Sequence, residues 1–250
     1  MDRMEYSREK RQALFGGRAS DCGHNDPTLE EIMNRFIYGE IYARPLLTDL
    51  QRQLIALVAL TVAQTLEPLE RQTAGALAAG AAPAQIKEAV YQCAPYIGFP
   101  KVMAALERVN AAFAAAGVEQ PDMTPADSHE AERLEKGLEV QKGIFGDTID
   151  QMRAAAPDGQ KHIQDYLSAM CFGDFYTRPG LDLPTRELLT LCMVSALGGC
   201  ESQVKGHIQG NRNVGNSKQL MVEAITCCLP YMGFPRTLNA LACINACIPE

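Results

Sequence analysis

The chain contains an internal repeat. Residues 39–47 (GEIYARPLL) recur as residues 173–181 (GDFYTRPGL), 134 positions later, and residues 95–100 (PYIGFP) recur as residues 230–235 (PYMGFP), 135 positions later. Two copies of one sequence specify two copies of one supersecondary unit, so the repeat restricts the architecture more than any single motif does. Residues shared by the copies indicate structural roles. Residues that differ indicate chemistry that only one half has kept.

Apolar residues follow helical spacing in both halves, and no segment shows a convincing strand-like alternation. Glycines after two of the helices predict left-handed caps, and a Gly-Phe-Pro break starts the last helix of each half. The pattern predicts helices at 50–60, 69–79, 84–96 and 100–116, with counterparts at 188–197, 204–214, 218–231 and 235–247, and an amphipathic helix at 130–152 that leads into the second copy. The predicted fold is therefore all-α, a tandem duplicated helical repeat.

The boundary between the copies is predicted from composition. Residues 117–126 are rich in glycine, proline and polar side chains, which is typical of a linker. The expected organisation is a first repeat at 1–116 and a second repeat at 127–250.

Composition limits the partners and the compartment. A net charge of −7 argues against nucleic acid as a partner, and no run approaches 18 apolar residues, so no membrane span is expected. The polar first ten residues lack the apolar stretch of a secretion signal. Most of the nine cysteines lie in apolar helical patterns and are expected to be reduced thiols of a cytoplasmic protein. No histidine has a ligand spacing from any cysteine pair, so no metal site is predicted.

The halves differ most clearly around one histidine. Cys200, Gln203 and His207 lie at helical spacing and are predicted to share one helix face. Counting from the shared Gly75 and Gly210, the corresponding positions of the first half carry no thiol, imidazole or carboxylate: Thr65, Pro68 and Gln72. The sequence therefore predicts one candidate site, in the second half. The alternative that His207 is an ordinary helix residue stays open.

Over nearly its whole length the chain resembles the carboxymuconolactone decarboxylase family in its double-domain form. The resemblance rests on the Gly-x-x-Tyr-x-Arg-Pro segment, the Arg-x-Leu helix start, the His207 helix closed by Asn213 and Gly215, and the Pro-Tyr-x-Gly-Phe-Pro break. It implies an all-helical fold, assembly into rings such as a trimer of double-repeat chains, and one of two chemistries. These are decarboxylation of a lactone dicarboxylate and thiol peroxidase activity of the alkylhydroperoxidase D type.

The sequence departs from both branches of that family. The decarboxylase branch usually has Glu-x-x-x-His, and this chain has Gln203 four residues before His207, so the carboxylate that would orient the imidazole is expected to be missing. The peroxidase branch has Cys-x-x-Cys-x-x-x-His. Cys200 matches its first cysteine, but Gln203 stands where the attacking thiol is expected.

Decarboxylation through a dienolate needs a general acid, a donor to the enolate oxygen and cations for carboxylates. His207 is the candidate acid, with Gln203 or Tyr176 as donors and three cations as candidate anchors: Arg178, Lys205 and Arg212. Because Tyr176 and Arg178 recur in the first half, a purely structural role for them stays open.

The favoured hypothesis is a cofactor-free enzyme that acts on a small anionic or carbonyl substrate, such as a carboxylated lactone. Two alternatives remain. One is a thiol-dependent peroxidase that uses Cys200, and the other is a non-catalytic helical protein whose repeats serve homo-oligomerisation.

Overall fold

The computed structural model describes residues 2–16, 26–123 and 130–249, and within these ranges the chain is helical and has no β-strand. The all-α prediction is confirmed. The predicted linker lies partly outside the described residues, since its last three positions (124–126) are not described, and so do Cys22, His24 and His129.

The helices of the two halves correspond in order. The first half has α1 to α7 with a π-helical segment after α2: Arg3–Phe15, Pro27–Phe36, Ile37–Ile41 (π), Asp49–Ala63, Leu69–Ala78, Pro83–Tyr91, Ala94–Ile97 and Phe99–Ala115. The second half has α8 to α13, with a short 3₁₀ turn and a longer π-helical segment: Arg133–Phe145, Thr148–Ala155, Asp158–Gln160 (3₁₀), Lys161–Tyr166, Leu167–Tyr176 (π), Leu183–Leu197, Glu201–Asn213 and Lys218–Cys247.

The predicted leading helix at 130–152 is wrong as a single element. The structure has two helices there, α8 and α9, because Gly146 adopts a positive φ of 65° that ends α8. The predicted break at Gly233 is present as a kink with a φ of 77° inside α13. The bends come from glycine in backbone conformations that other residues adopt with strain.

Side-chain caps fix where the central helices begin. Thr48 and Gln51 form a reciprocal capping box at the start of α3. Asp182 accepts a hydrogen bond from the Thr185 amide at the start of α11, and Ser217 caps α13 in the same way. These caps satisfy amide groups that the helices themselves leave unpaired.

The core is built around α3 and α11, which pack against each other and against α13. Leu54 to Ala59 of α3 are completely buried, as is most of α11. One continuous hydrophobic cluster includes residues of both halves. The halves therefore share a core.

Charged residues cross between the halves. Glu88 of α5 lies 3.1 Å from Arg186 of α11, and Glu223 of α13 lies 3.5 Å from Arg52 of α3. Glu223 also accepts hydrogen bonds from the backbone, including the Leu47 amide at 2.8 Å. Each half thus supplies the buried carboxylate that neutralises the other half's helix-start arginine.

The repeated glycine of the Gly-x-x-Tyr segment lies where each π-helical segment touches the first helix of its half, which is α1 in the first half and α8 in the second. A Cβ atom at Gly39 would overlap with the Arg3 carbonyl, and one at Gly173 would overlap with the Arg133 carbonyl. The close approach explains why both copies keep glycine. Among the described residues, no helix combines the length and apolar character needed to cross a bilayer.

Candidate active site

His207 is paired with a buried carboxylate. Its Nδ1 lies 3.0 Å from Oε2 of Glu187, which projects from α11 and is fully buried, while the His207 side chain keeps 12 % exposure. A carboxylate accepts hydrogen bonds, so the pairing favours the proton on Nδ1 and leaves Nε2 as the nitrogen free for chemistry. Within the described ranges Nε2 has no hydrogen-bond partner.

The Tyr176 hydroxyl holds the second oxygen of Glu187. The Tyr176 hydroxyl donates to Oε1 of Glu187 at 2.6 Å and lies 3.0 Å from Oγ1 of Thr190. Burial, reinforced by the Glu187 carboxylate, raises the pKa of Tyr176 well above its ordinary value, so this side chain stays a neutral donor. Because both Glu187 oxygens are engaged, the carboxylate has a fixed orientation toward His207.

Asn211 fixes the spacing between the two helices that carry the pair. Its buried amide nitrogen donates to the Glu187 and His207 carbonyl oxygens, both at 2.8 Å. Asn216 in turn donates to Oδ1 of Asn211 at 2.8 Å. The first half has alanine at both corresponding positions, Ala76 and Ala81, so this polar link belongs only to the second half.

Aromatic rings from both halves flank the imidazole. Phe145 of α8 and Tyr96 of α6 meet the His207 ring edge to face, with centroids 5.6 and 6.0 Å away. Burial raises the pKa of Tyr96 well above its ordinary value, so its hydroxyl is neutral. The first half also supplies Gln92, whose Nε2 donates to Thr190 at 2.7 Å. The site of the second repeat is thus completed by the first.

The first half repeats this arrangement without its charges. Gln53 stands where the second half has Glu187, and Gln72 stands where it has His207. Nε2 of Gln72 donates to Oε1 of Gln53 at 2.6 Å, and Nε2 of Gln53 donates to the Tyr42 hydroxyl at 3.0 Å. Two primary amides cannot exchange a proton near neutral pH, so this half has the shape of the site without its acid–base groups.

The expectation that His207 lacks a carboxylate partner is wrong. Gln203 does stand in place of the glutamate on the same helix, but Glu187 provides a carboxylate from the neighbouring helix. A signal was present in the sequence, since the Arg52-Gln53 and Arg186-Glu187 pairs differ only by an amide against an acid. Comparing the halves along α3 and α11 would have found Glu187.

Cys200 does not belong to the group of side chains around His207. It is the N-cap residue of α12, and its thiol donates to the Val194 carbonyl oxygen at 3.0 Å. It lies seven positions before His207, which corresponds to roughly 10 Å along a helix axis. Burial raises the pKa of Cys200, and the Glu201 carboxylate adds to the effect. This environment opposes the thiolate that peroxide reduction requires.

Three of the predicted residues are exposed on α12. Gln203 accepts a hydrogen bond from Ser202, and Arg212 lies 3.4 Å from Oε1 of Gln209. Lys205 is close enough to Cys243 to lower the pKa of that thiol, against the larger effect of burial. Among the described residues, no hydrogen bond or ion pair joins any of the three to His207. Their polar end groups are exposed to solvent on the outer face of α12.

Arg178 is engaged by the first half. Its Nε donates to Oε1 of Glu88 at 2.8 Å, and its side chain is 14 % exposed. The nearby acidic residue Asp174 pairs instead with Arg133. The structure therefore gives Arg178 a contact between the halves, while Tyr176 reaches His207 only through Glu187. Within the described ranges, no group of three or more metal-ligating side chains (His, Cys, Asp or Glu) is placed to hold an ion.

Comparison with known proteins agrees with the repeat and with the fold. The family model for the carboxymuconolactone decarboxylase family matches twice, at residues 27–111 and 161–246. The 4-carboxymuconolactone decarboxylase of Acinetobacter baylyi (strain ATCC 33305 / BD413 / ADP1) is 29 % identical over 114 residues, which cover 45 % of this chain and 84 % of that protein. The chain belongs to the carboxymuconolactone decarboxylase family and carries the family unit twice.

Proposed function

We propose that the protein is a decarboxylase-like enzyme for a small carboxylated lactone or related carbonyl compound, with His207 as its acid–base residue. The observation that carries the proposal is the fully buried Glu187 on Nδ1 of His207, in a chain whose other half has amides at both positions. Similarity to a 4-carboxymuconolactone decarboxylase supports the choice of substrate class.

In the proposed reaction the substrate carboxylate leaves as carbon dioxide, and its bonding electrons pass into a dienolate conjugated with the carbonyl group. The protonated His207 then delivers the Nε2 proton to carbon, and the neutral imidazole recovers a proton from solvent. Glu187 stabilises the imidazolium and holds the ring in one orientation. The rings of Phe145 and Tyr96 limit water around the imidazole, which strengthens the electrostatic effect of Glu187.

The first test is replacement of the acid. With 4-carboxymuconolactone as substrate, followed by ultraviolet absorbance, His207→Ala is expected to lower kcat at least about 10²-fold, because general acid catalysis typically contributes 10²–10⁴-fold. The matched control is Gln72→Ala, which truncates the corresponding residue of the first half and is expected to keep wild-type turnover. Equal turnover by the wild type and His207→Ala, or no turnover by the wild type, would contradict the proposal.

A second test uses the glycine that lets α12 approach α11. A Cβ atom at Gly210 would overlap with Oε2 of Glu187 and lie 2.7 Å from Cε1 of Phe145. Gly210→Ala should therefore displace the Glu187 carboxylate from His207, lowering turnover and costing about 1–3 kcal/mol of unfolding free energy as an overpacked core does. Steady-state kinetics and urea denaturation measure the two effects separately.

Gly75→Ala is the control for that variant. Its added Cβ atom would lie 2.6 Å from Oε1 of Gln53 and 2.7 Å from Cε1 of Phe15, nearly the same crowding in the first half. It should lose similar stability and keep its turnover per folded molecule. If both variants lost turnover alike, the effect would be one of general packing and would not report on the His207 pair.

Self-association is part of the proposal. Large apolar side chains are exposed at matching positions after the Gly-Phe-Pro break: Phe99 and Met103 in the first half, Phe234 and Leu238 in the second. Each is more than half exposed. Duplicated apolar patches of this kind favour a symmetric assembly of double-repeat chains, such as the expected trimer.

A further inference from the structure

A polar cavity lies at the end of α11, away from His207. It has a volume of about 270 Å³ and is bounded by the last turn of α11, the first turn of α12 and the part of α13 that follows the kink. Gly198 and Gly199, both with positive φ, form its connecting wall. A cavity of this size accommodates a small metabolite.

Hydrogen-bond donors converge on this cavity. Ser195 lines it, is 3 % exposed, and its hydroxyl has no hydrogen-bond partner in the described structure. The first turn of α12 also borders it, and no side chain caps that turn, because the thiol of Cys200 donates to the Val194 carbonyl instead. Unpaired amides at the start of a 13-residue helix attract anions. A buried hydroxyl without a partner costs stability unless water or a ligand satisfies it.

The cavity lining includes a cation. Arg236 lines it and has no ion pair or hydrogen bond with the described residues, and Asn239 lies one turn further along α13. Lys205 is near the Cys243 wall, where it lowers the pKa of that thiol. On the lining itself, Arg236 is the cation and Glu201 is the opposing carboxylate. A guanidinium beside hydroxyl and amide donors suits the oxygens of a carboxylate or phosphate group.

At the place in the first half that corresponds to this cavity, a side chain joins the neighbouring helices. Gln64 occupies the position of Gly198 and also has a positive φ, and its amide nitrogen donates to the carbonyl oxygens of Thr61 and Lys101 at 2.7 and 3.4 Å. It therefore bridges α3 and α7, the first-half counterparts of helices that border the cavity in the second half. The offset between the halves rises from 134 to 135 in this loop, where the second half has two glycines.

We propose that this cavity is a second binding site, for a small oxyanion with a carboxylate or phosphate group, held by Arg236, Ser195 and the start of α12. The site is distinct from the pair of His207 and Glu187. Its wall residue Cys200, at the start of α12, lies seven positions before His207, roughly 10 Å by the helical rise. It goes beyond the proposed decarboxylation, since it requires no turnover.

Isothermal titration with succinate and with sodium phosphate, at constant low ionic strength, tests the proposal. One saturable site per chain is expected for at least one of the two anions, and the tighter one identifies the ligand group. Arg236→Gln should weaken binding at least about tenfold, because it removes a charge-assisted contact, and Ser195→Ala about two- to fivefold. Glu201→Gln should tighten binding, since it removes the opposing carboxylate from the lining.

Lys101→Gln is the matched control, because Lys101 holds the position of Arg236 in the first half and its replacement removes the same charge. Its binding should equal that of the wild type. No saturable binding of either anion, or equal weakening by Arg236→Gln and Lys101→Gln, would overturn the proposal. Because binding is measured without turnover, failure here is distinguishable from failure of the decarboxylase assignment.

Discussion

Replacing Glu187 by glutamine is expected to lower kcat by about 10²–10⁴-fold and leave KM nearly unchanged, as loss of a histidine-orienting carboxylate does in other enzymes. Glutamine keeps the shape of the side chain, but it no longer stabilises the imidazolium of His207. Its amide nitrogen would donate to Nδ1 and so move the imidazole proton to Nε2. The variant isolates the charge of Glu187 from its packing, and steady-state kinetics across pH measures the effect.

The matched variant in the first half is Gln53→Ala, at the position of Glu187. It should cost about 1–3 kcal/mol of stability, because it leaves the amide of Gln72 and the hydroxyl of Tyr42 without their partner, and turnover per folded molecule should remain. Full activity of Glu187→Gln would show that His207 works without the carboxylate. Circular dichroism checks that both variants remain folded.

The largest loss of stability is expected from Glu88→Gln. Glu88 is 2 % exposed and accepts from Arg178 at 2.8 Å and from the fully buried Arg186 at 3.1 Å. Burial lowers the pKa of Arg186, and the Glu88 carboxylate opposes that shift. Removing this charge leaves a buried guanidinium uncompensated, which typically costs about 3–5 kcal/mol. Urea denaturation, monitored by circular dichroism, measures the change in unfolding free energy.

Glu70→Gln is the control for the Glu88 variant, because it makes the same change of charge at an exposed ion pair with Arg108. A surface pair of this kind is expected to contribute less than about 1 kcal/mol. A loss below that value for Glu88→Gln would mean that Gln92 and the backbone carbonyls already satisfy Arg186, and that the contact between the halves is weak.

The fold could be predicted because its signals are local and occur twice. Glycine caps, the Gly-Phe-Pro break and helical spacing each appear in both halves, so one copy checks the other. The prediction is wrong at Gly146, because the helical pattern continues through a residue whose positive φ ends α8. It also missed the π-helical segments, because a π-helix has the same apolar composition as an α-helix and differs only in hydrogen-bond register.

The site was less predictable because its members meet through tertiary packing. His207 could be singled out from one helix, but its partner Glu187 lies on another helix, and spacing along α12 carries no information about α11. Tyr96 lies 111 positions before His207, in the other half of the chain. Arg178 was a candidate anchor by residue type alone, and its buried partner Glu88 became visible only once the halves were packed together.

The exchange of contacts between the halves also constrains how such a chain can evolve. The first half carries neutral amides where the second has Glu187 and His207, so under the proposed function selection for acid–base chemistry acts on one copy. Yet the first copy supplies Gln92 and Tyr96 to its neighbour's site. After duplication, the first copy can therefore lose acid–base residues but must keep its fold. A shorter descendant that lost the first copy would also lose these contacts around Thr190 and His207.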